Sequence, residues 1–305
     1  MRIALFTDET GWHTRQLQRA LRARGAEGRC IDLADCRIDT TAAWHGLVIP
    51  GYGGELPDAA LVRGIAGGSF EQVTKRLGVL HALRELGVPV YNDARAIERS
   101  VDKSMTSLLL HAAGVATPPT WAMESAAQAQ RLVTRESSAG HALVLKPLFG
   151  SQGKGLQLVG HVDGVHVPLP ALSGYGELAY LQRFVPPMQA PGFDWRVLVV
   201  GGQALTAMRR VSEHWIHNVK QGARVEPAML TDELADLAQR AAAALDMDYA
   251  GIDVLPSPDG PQVLEVNGVA AWQGLQRVTR FNIAETLVAD LLGRKLAQAG
   301  TRRLA

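Results

Sequence analysis

An α/β unit followed by an α+β unit is the fold class that this 305-residue sequence predicts. Three observations carry it. Strands alternate with helices up to about residue 97. After Pro118 and Pro119, short strands follow one another closely, separated by glycine turns. A helix, two further strands and a last amphipathic helix then close the chain.

In order, residues 2–6 (RIALF) read as a buried strand. Residues 14–24 read as a helix with Leu17, Ala20 and Leu21 on one face, stopped by Gly25. Further strands are predicted at 30–33, 47–50 and 89–92, with Ser69 capping a long helix that carries Val73, Leu77, Leu80 and Leu83 to Gly87. This alternation predicts a small open parallel sheet covered on both faces. The loop of Gly51, Gly53 and Gly54 is by itself a turn rather than a phosphate cradle. In the second part, strands at 143–146, 156–159, 179–182, 195–200 and 203–209 pair as antiparallel hairpins. The polar stretch 160–176 reads as a mobile connection. A helix is predicted over 231–245, with Asp232 and Glu233 in its first turn to complement the dipole. Strands at 251–255 and 262–266 face each other across a turn at 256–260, and the last helix carries Ile283, Leu287, Val288, Leu291 and Leu292.

Composition narrows the function. Apolar residues make up 47% and charged residues 20%, with a net charge of +1, so no long-range field draws nucleic acid or an anionic membrane. Neither partner is expected, and any substrate charge must be met locally in a cleft. Cys30 and Cys36 have no histidine or cysteine at metal-ligand spacing. Two cysteines make no disulfide framework, and a reducing cytoplasm fits them. No apolar run approaches the ~18 residues of a membrane helix.

Two constellations carry chemistry. Asp253 and Glu265 lie on two strands joined by a turn, and Asn267 is two residues beyond Glu265. Positions i and i+2 of a strand share a face, so a hairpin would bring the three oxygen-bearing side chains together. Such hard ligands suit magnesium. Solvated strand-face charge is the alternative, but these carboxylates sit in apolar strands (GIDVL, VLEVN), where burial demands partners. The second constellation is Lys146 at the end of an apolar strand, before a loop with Gly150, Gly153 and Gly155. Backbone N–H groups there can approach phosphate while the ammonium adds charge. No Gly-Lys-Ser/Thr opens a helix, so this is not a Walker loop. Lys103 alone reads as a surface lysine, and Asp194 with Arg196 as a local ion pair.

The order of these pieces resembles the ATP-grasp enzymes: Asp102-Lys103, the Lys146 strand and its glycine loop, Gln182-Arg-Phe-Val185, Asp194-Trp-Arg196, Asn218, Asp253 and Glu265-Val-Asn267. More narrowly, the chain is similar to RimK-like alpha-L-glutamate ligases. Residues 68–72, 101–103 and 267–275 look closest to members linked to methanopterin- or methanofuran-type cofactor assembly. The resemblance covers about residues 45–290.

It implies an ATP-grasp fold with an N-terminal α/β domain (1–97), a central lid (98–185) and a C-terminal subdomain (186–305), with ATP held between the last two. Lys103, Lys146, Gly150 and Gly153 would hold ATP phosphates. Gln182, Arg183, Phe184 and Val185 would meet adenine, and Asp194 the ribose. Asp253, Glu265 and Asn267 would bind magnesium, with manganese as a substitute. Arg196, Arg209 and Asn218 would face the acyl-phosphate or the incoming amino acid. The substrates implied are L-glutamate and a small acceptor carboxylate, and relatives of this type self-associate as homo-oligomers. Strand alternation sends Arg209 and Arg210 to opposite faces, and Arg209 is expected inward, Arg210 outward.

The chain departs from the family pattern at three places. Arg183 stands where the hinge commonly has an acid, and Ile216 and His217 stand where many relatives have an arginine before the asparagine. Gly268-Val-Ala-Ala-Trp272 replaces the usual Asn-Ser/Ala-x-Pro-Gly. Two other readings stay open: a ligase modifying a peptide or ribosomal protein, and a non-catalytic nucleotide-binding regulator. The near-neutral charge and the absence of a basic tail disfavour the ribosomal target.

Overall fold

The computed structural model describes residues 1–150 and 152–298. In chain order the first elements are β1 (Arg2–Phe6), α1 (Trp12–Ala23), β2 (Glu27–Ile31), β3 (Arg37–Ile38), β4 (Leu47–Val48), β5 (Ala59–Val62), α2 (Phe70–Glu85), β6 (Val90–Tyr91) and α3 (Ala94–Val101). Strands β2-β1-β5-β6 form an all-parallel sheet. Ser69 caps α2 as expected, its side chain accepting from the Gln72 N–H.

One sheet strand is not the one the sequence suggests. Among the described residues the 47–50 segment pairs only with β3, antiparallel and outside the sheet. Its expected place belongs to β5, Ala-Ala-Leu-Val, with all four residues buried. A strand buried on both faces has no alternation to detect, and two alanines give it little apolar signal.

The second group is α4 (Lys103–Ala112), β7 (Thr120–Met123), α5 (Ala126–Ser138), β8 (Ala142–Lys146), β9 (Gln157–Val162), β10 (Val165–Val167) and β11 (Ala179–Arg183), with sheet order β10-β9-β8-β11-β7. Residues 160–176 are not an unstructured connection. Strand β9 runs on to Val162, reverses through Asp163 and Gly164 at φ 49° and 84°, and returns as β10. A two-residue turn with both central residues at positive φ matches strand twist. Leu172 then buries its side chain in the core beneath α5.

The third group is β12 (Gly192–Val200), β13 (Gln203–Ser212), β14 (Arg224–Ala228), α6 (Asp232–Ala244), β15 (Tyr249–Leu255), β16 (Gln262–Asn267), α7 (Gln273–Val278) and α8 (Ile283–Asp290). Its antiparallel sheet has the order β14-β13-β12-β15-β16. One face packs Val197, Val199, Ala207 and Ile252 with α6. The other packs Leu198, Met208 and Tyr249 with β1, α1 and α8, so the first and third sheets share a core.

Asn92 fastens that junction. Its fully buried amide donates to the Tyr249 and Gly268 carbonyls at 2.7 and 2.6 Å and accepts from the Asp248 and Tyr249 N–H groups at 2.7 and 3.0 Å. Tyr91 stacks on Tyr249 at 5.4 Å and donates to Asp290 at 2.7 Å. The parallel sheet is thereby held beside the loop that follows Asn267. No helix among the described residues is long and apolar enough to cross a membrane.

Candidate active site

A cleft between the second and third sheets collects most of the residues singled out from the sequence. Lys103, Lys146, Gly150, Gly153, Gln182, Arg183, Phe184, Val185, Asp194, Asn218, Asp253 and Glu265 all line it. Arg196, Arg209 and Asn267 do not, and Arg210 and His217, not chosen from the sequence, do.

Register explains the membership. Asp194 pairs with Arg210, Arg196 with Met208 and Asp253, Asp253 with Glu265, and Gly251 with Asn267. Directly opposed residues share a face, so Asp194, Arg196, Arg210, Asp253, Glu265 and Asn267 form one polar end of one sheet face. Arg209 pairs with Glu226 across β14 on the opposite face, donates to it at 2.8 Å and lies 5.3 Å over the Phe193 ring. The inward arginine is Arg210, not Arg209. A bulge between Leu198 and Val199 causes the exchange. Val199 faces Ala204 but Leu198 faces Thr206, so Leu205 is an extra residue and everything beyond it moves by one. A second bulge, at Asp253/Val254, leaves Leu264 extra and returns Glu265 and Asn267 to the face of Asp253.

The two carboxylates here are not free. Both Asp194 oxygens accept from Arg210, at 2.7 and 2.5 Å, rather than from neighbouring Arg196. Both Asp253 oxygens accept from Arg196 at 2.7 Å, and Arg210 also stands 3.0 Å from one of them. Burial lifts both acids. At Asp253 the Arg196 and Arg210 guanidiniums outweigh it and hold the carboxyl below its ordinary range. At Asp194 burial prevails against Arg210 and raises the carboxyl to about 6. His217 is buried over the same end, with Nδ1 4.0 Å from Asp194, and burial with the Arg210 charge pushes it down to about 4. It is a neutral ring at ordinary pH.

Glu265 differs: no hydrogen bond or ion pair within 4 Å engages it among the described residues, though it is half-buried in the cleft. The Asn267 Nδ2 donates to the Gly251 carbonyl at 3.1 Å, turning its amide toward Asp253, 3.5 Å away. Of the three on this face only the Glu265 carboxylate is open to a hard divalent cation; Asp253 would reach one by sharing oxygens already held by Arg196 and Arg210.

On the other wall, Lys146 is buried and donates to Gln182 Oε1 at 2.5 Å, while Gln182 in turn donates to Thr120 at 3.1 Å. Asp102 caps α4, its carboxylate accepting from the Ser104 and Met105 N–H groups at 2.8 and 3.1 Å, and this places Lys103 at the first helical position. Lys103 donates to the Leu148 and Gly150 carbonyls at 3.2 and 2.9 Å. The hinge Arg183 is held by Glu136 at 2.7 Å and by its backbone N–H to Pro119.

Burial pulls the Lys146 ammonium from 10.5 down to about 8, with Glu265 opposing and Lys103 adding to the fall. Between those values the unfolded chain holds a proton that the folded empty protein has released, so its stability rises with pH across the window. A phosphate anion held by Lys146 would show the opposite trend, since that contact needs the charged lysine. ADP binding is expected to weaken as pH rises through about 8, with proton uptake on binding there. Calorimetry at pH 7 and 9 in buffers of different ionisation heat checks this, and a pH-independent affinity would remove Lys146 from the phosphate contacts.

The RimK-like ATP-grasp domain family matches residues 100–291, and the RimK pre-ATP-grasp domain family matches residues 1–97. The chain belongs to the RimK-like ATP-grasp proteins. It is therefore an ATP-dependent ligase forming an amide carbon–nitrogen bond. This RimK-like ligase is 35% identical over 239 residues to the tetrahydromethanopterin:alpha-L-glutamate ligase of Methanocaldococcus jannaschii, covering 77% of this chain and 79% of the relative. It is 30% identical over 297 residues to a probable alpha-L-glutamate ligase of Thioalkalivibrio sulfidiphilus, covering 95% and 94%. In fold it is similar to the ATP-grasp ligase PsnB solved with minimal precursor, Mg and ADP, at a TM-score of 0.68 and 22% identity, with 98% of each chain covered. A RimK domain ATP-grasp protein from Sphaerobacter thermophilus gives 0.67 and 23%, with 96% and 100% covered.

Proposed function

We propose that this RimK-like ligase adds L-glutamate to the carboxylate of a small acceptor, a cofactor precursor, through an acyl-phosphate. The observation that carries the reading is the 35% identity over 77% of the chain to a tetrahydromethanopterin:alpha-L-glutamate ligase. In this scheme residues 1–97, 98–185 and 186–305 act as an N-terminal unit, a lid and a C-terminal unit. Lys146 and Lys103 hold phosphates of ATP from the lid side, beside Gly150 and Gly153. The hinge, Gln182 to Val185, meets the base, and its contacts rest on backbone, so Arg183 in place of an acid is compatible with it.

The acceptor carboxylate attacks the terminal phosphorus, the bond to the bridging oxygen breaks, and ADP leaves. The glutamate amine then attacks the acyl carbon, loses a proton, and phosphate leaves as the amide forms. Asp253, Glu265 and Asn267 would hold magnesium, which supplies charge neutralisation at the phosphates. The chain itself contributes positioning and fixed positive charge. Arg196 and Arg210 serve here by orienting Asp253 and Asp194. Arg209, on the other face, has no part, and Asn218 faces the cleft beside the lid loop. Asp194, with both oxygens on Arg210, acts on the ribose side by position rather than as an open acceptor.

The test compares amino acids as co-substrates in an ADP-release assay with an extract of small molecules as acceptor, followed by mass spectrometry for added glutamyl mass. Glutamate is expected to exceed glutamine by more than tenfold, since a hydrogen bond between a charged donor and the lost carboxylate is worth about 1.5–3 kcal/mol. Equal rates would remove glutamate and leave the ligase. Acceptor-dependent turnover with peptides alone would favour a peptide ligase.

A further inference from the structure

The parallel sheet runs β2-β1-β5-β6, so the chain leaves β1 toward one edge and β5 toward the other. The crevice outside the C-terminal ends of β1 and β5 is a topological switch point, where open parallel sheets bind ligands. None of the groups assigned to ATP lies there. It is bordered by residues 7–11 and 63–69, and the 63–69 loop and the first turn of α1 touch the loop that follows Asn267. The Arg63 Nη1 donates to the Val269 carbonyl at 3.0 Å, and its guanidinium stands 5.1 Å over the Trp272 ring. The Trp272 backbone N–H donates to His13 Nε2 at 3.2 Å, with the two rings 4.6 Å apart.

Two donors result. Because Nε2 accepts, the neutral His13 ring carries its proton on Nδ1, and burial, reinforced by the Arg63 charge, keeps it neutral by lowering it to about 4. Arg63 has no carboxylate within 4 Å among the described residues; its guanidinium is hydrogen-bonded to Tyr249, and its Nε is buried without a partner. Half-buried guanidiniums are ordinarily paired with an anion, and this one has none beside the loop that follows Asn267. Gly64 leaves room for the Asp8 carboxylate, with which a Cβ there would collide. Asp8 itself is exposed and turned onto Gly64 rather than paired with Arg63.

We propose that this crevice binds a carboxylate of the acceptor, with Arg63 and the His13 Nδ1–H as its donors. The inference rests on the ligase reading above. The acceptor is the substrate whose carboxylate must reach the terminal phosphate first, and Arg63 acts on Val269, two residues from Asn267. Arg63 is then a specificity-determining contact supplied by the N-terminal sheet, which explains why this sheet is clamped to the third one through Asn92.

The probe is glutarate, a dicarboxylate with no amine to react. It is titrated calorimetrically into the full chain loaded with magnesium and a non-hydrolysable ATP analogue, at saturating L-glutamate so that the amine-donor site is filled. Glutarate is expected to bind the wild type, and Arg63→Gln to weaken it at least tenfold while analogue affinity changes less than twofold; Arg63→Lys recovers part of the loss. If Arg63→Gln does not fold, His13→Phe keeps the ring contact with Trp272, removes the Nδ1–H, and is expected to weaken glutarate at least threefold. Absence of glutarate binding to the wild type, displacement of glutarate by L-glutamate, equal affinity in the variants, or a parallel loss of analogue affinity would each overturn the inference. The ligase reading is read separately, by acceptor-dependent ADP release from the wild type.

Discussion

Replacing Arg210 by methionine is expected to lower the unfolding free energy by about 3–5 kcal/mol, while Arg209→Met changes it by no more than about 1 kcal/mol. The two positions are adjacent in sequence and chemically identical, so the contrast isolates environment. Arg210 is 3% exposed and pairs with two buried carboxylates, Asp194 and Asp253. Removing it leaves Asp194 without its guanidinium in a desolvated site, and Arg196 alone remains on Asp253. Arg209 keeps 40% of its side chain in solvent against a partly exposed Glu226, a geometry that contributes little. Urea unfolding of the three proteins measures the difference. Equal losses would mean that the Asp194–Arg210–Asp253 cluster is hydrated, and the account of the sheet face would fall.

Glu265→Gln is expected to cut acceptor-dependent ADP release by about a thousandfold or more, which is about 4 kcal/mol of transition-state stabilisation. The thermal midpoint should stay within a few degrees. No described group is hydrogen-bonded or ion-paired to the Glu265 carboxylate, so its replacement by an isosteric amide breaks no internal contact. The amide retains the shape but loses the charge that a hard cation requires. A variant that kept more than a tenth of the wild-type rate would sink the magnesium assignment. A variant that lost stability as well would show Glu265 to be a structural partner of Lys103 and Lys146, toward which its charge is directed.

How far the sequence could be read depends on what each feature requires. Elements with a repeating signal were legible: Ser69 before a periodic apolar run, the helix from 231 with Asp232 and Glu233 in its first turn, and the apolar strand that ends at Lys146. Elements without one were not. Strand β5 is buried on both faces and does not alternate. The β9–β10 hairpin looked like a polar connection because its turn residues, Asp163 and Gly164, are also loop residues. Helix α5 (AAQAQRLVTRESS) buries a narrow stripe of Ala129, Leu132, Val133, Glu136 and Ser137, only three of them apolar.

By itself, the sequence determined the family-specific order of chemistry-bearing residues, the α/β-then-α+β succession, and the presence of lysines and carboxylates in apolar strands. These are local properties, set by spacing and by the cost of burying charge without a partner. Only the tertiary structure decided which side chains meet. Counting back from the Gly201–Gly202 turn, where Val200 faces Gln203, would set Asp194 opposite Arg209. The extra Leu205 sets it opposite Arg210 instead. The same count from the 256–260 turn would set Asp253 opposite Leu264, and the extra Leu264 brings Glu265 there. A bulge is one unpaired residue in a ladder whose side chains alternate with period two, so it inverts the face of every residue beyond it. Packing on both faces of the sheet selects the bulged register, because it keeps Val197, Val199 and Ile252 on α6 while Asp194, Arg210, Asp253 and Glu265 turn together toward the cleft.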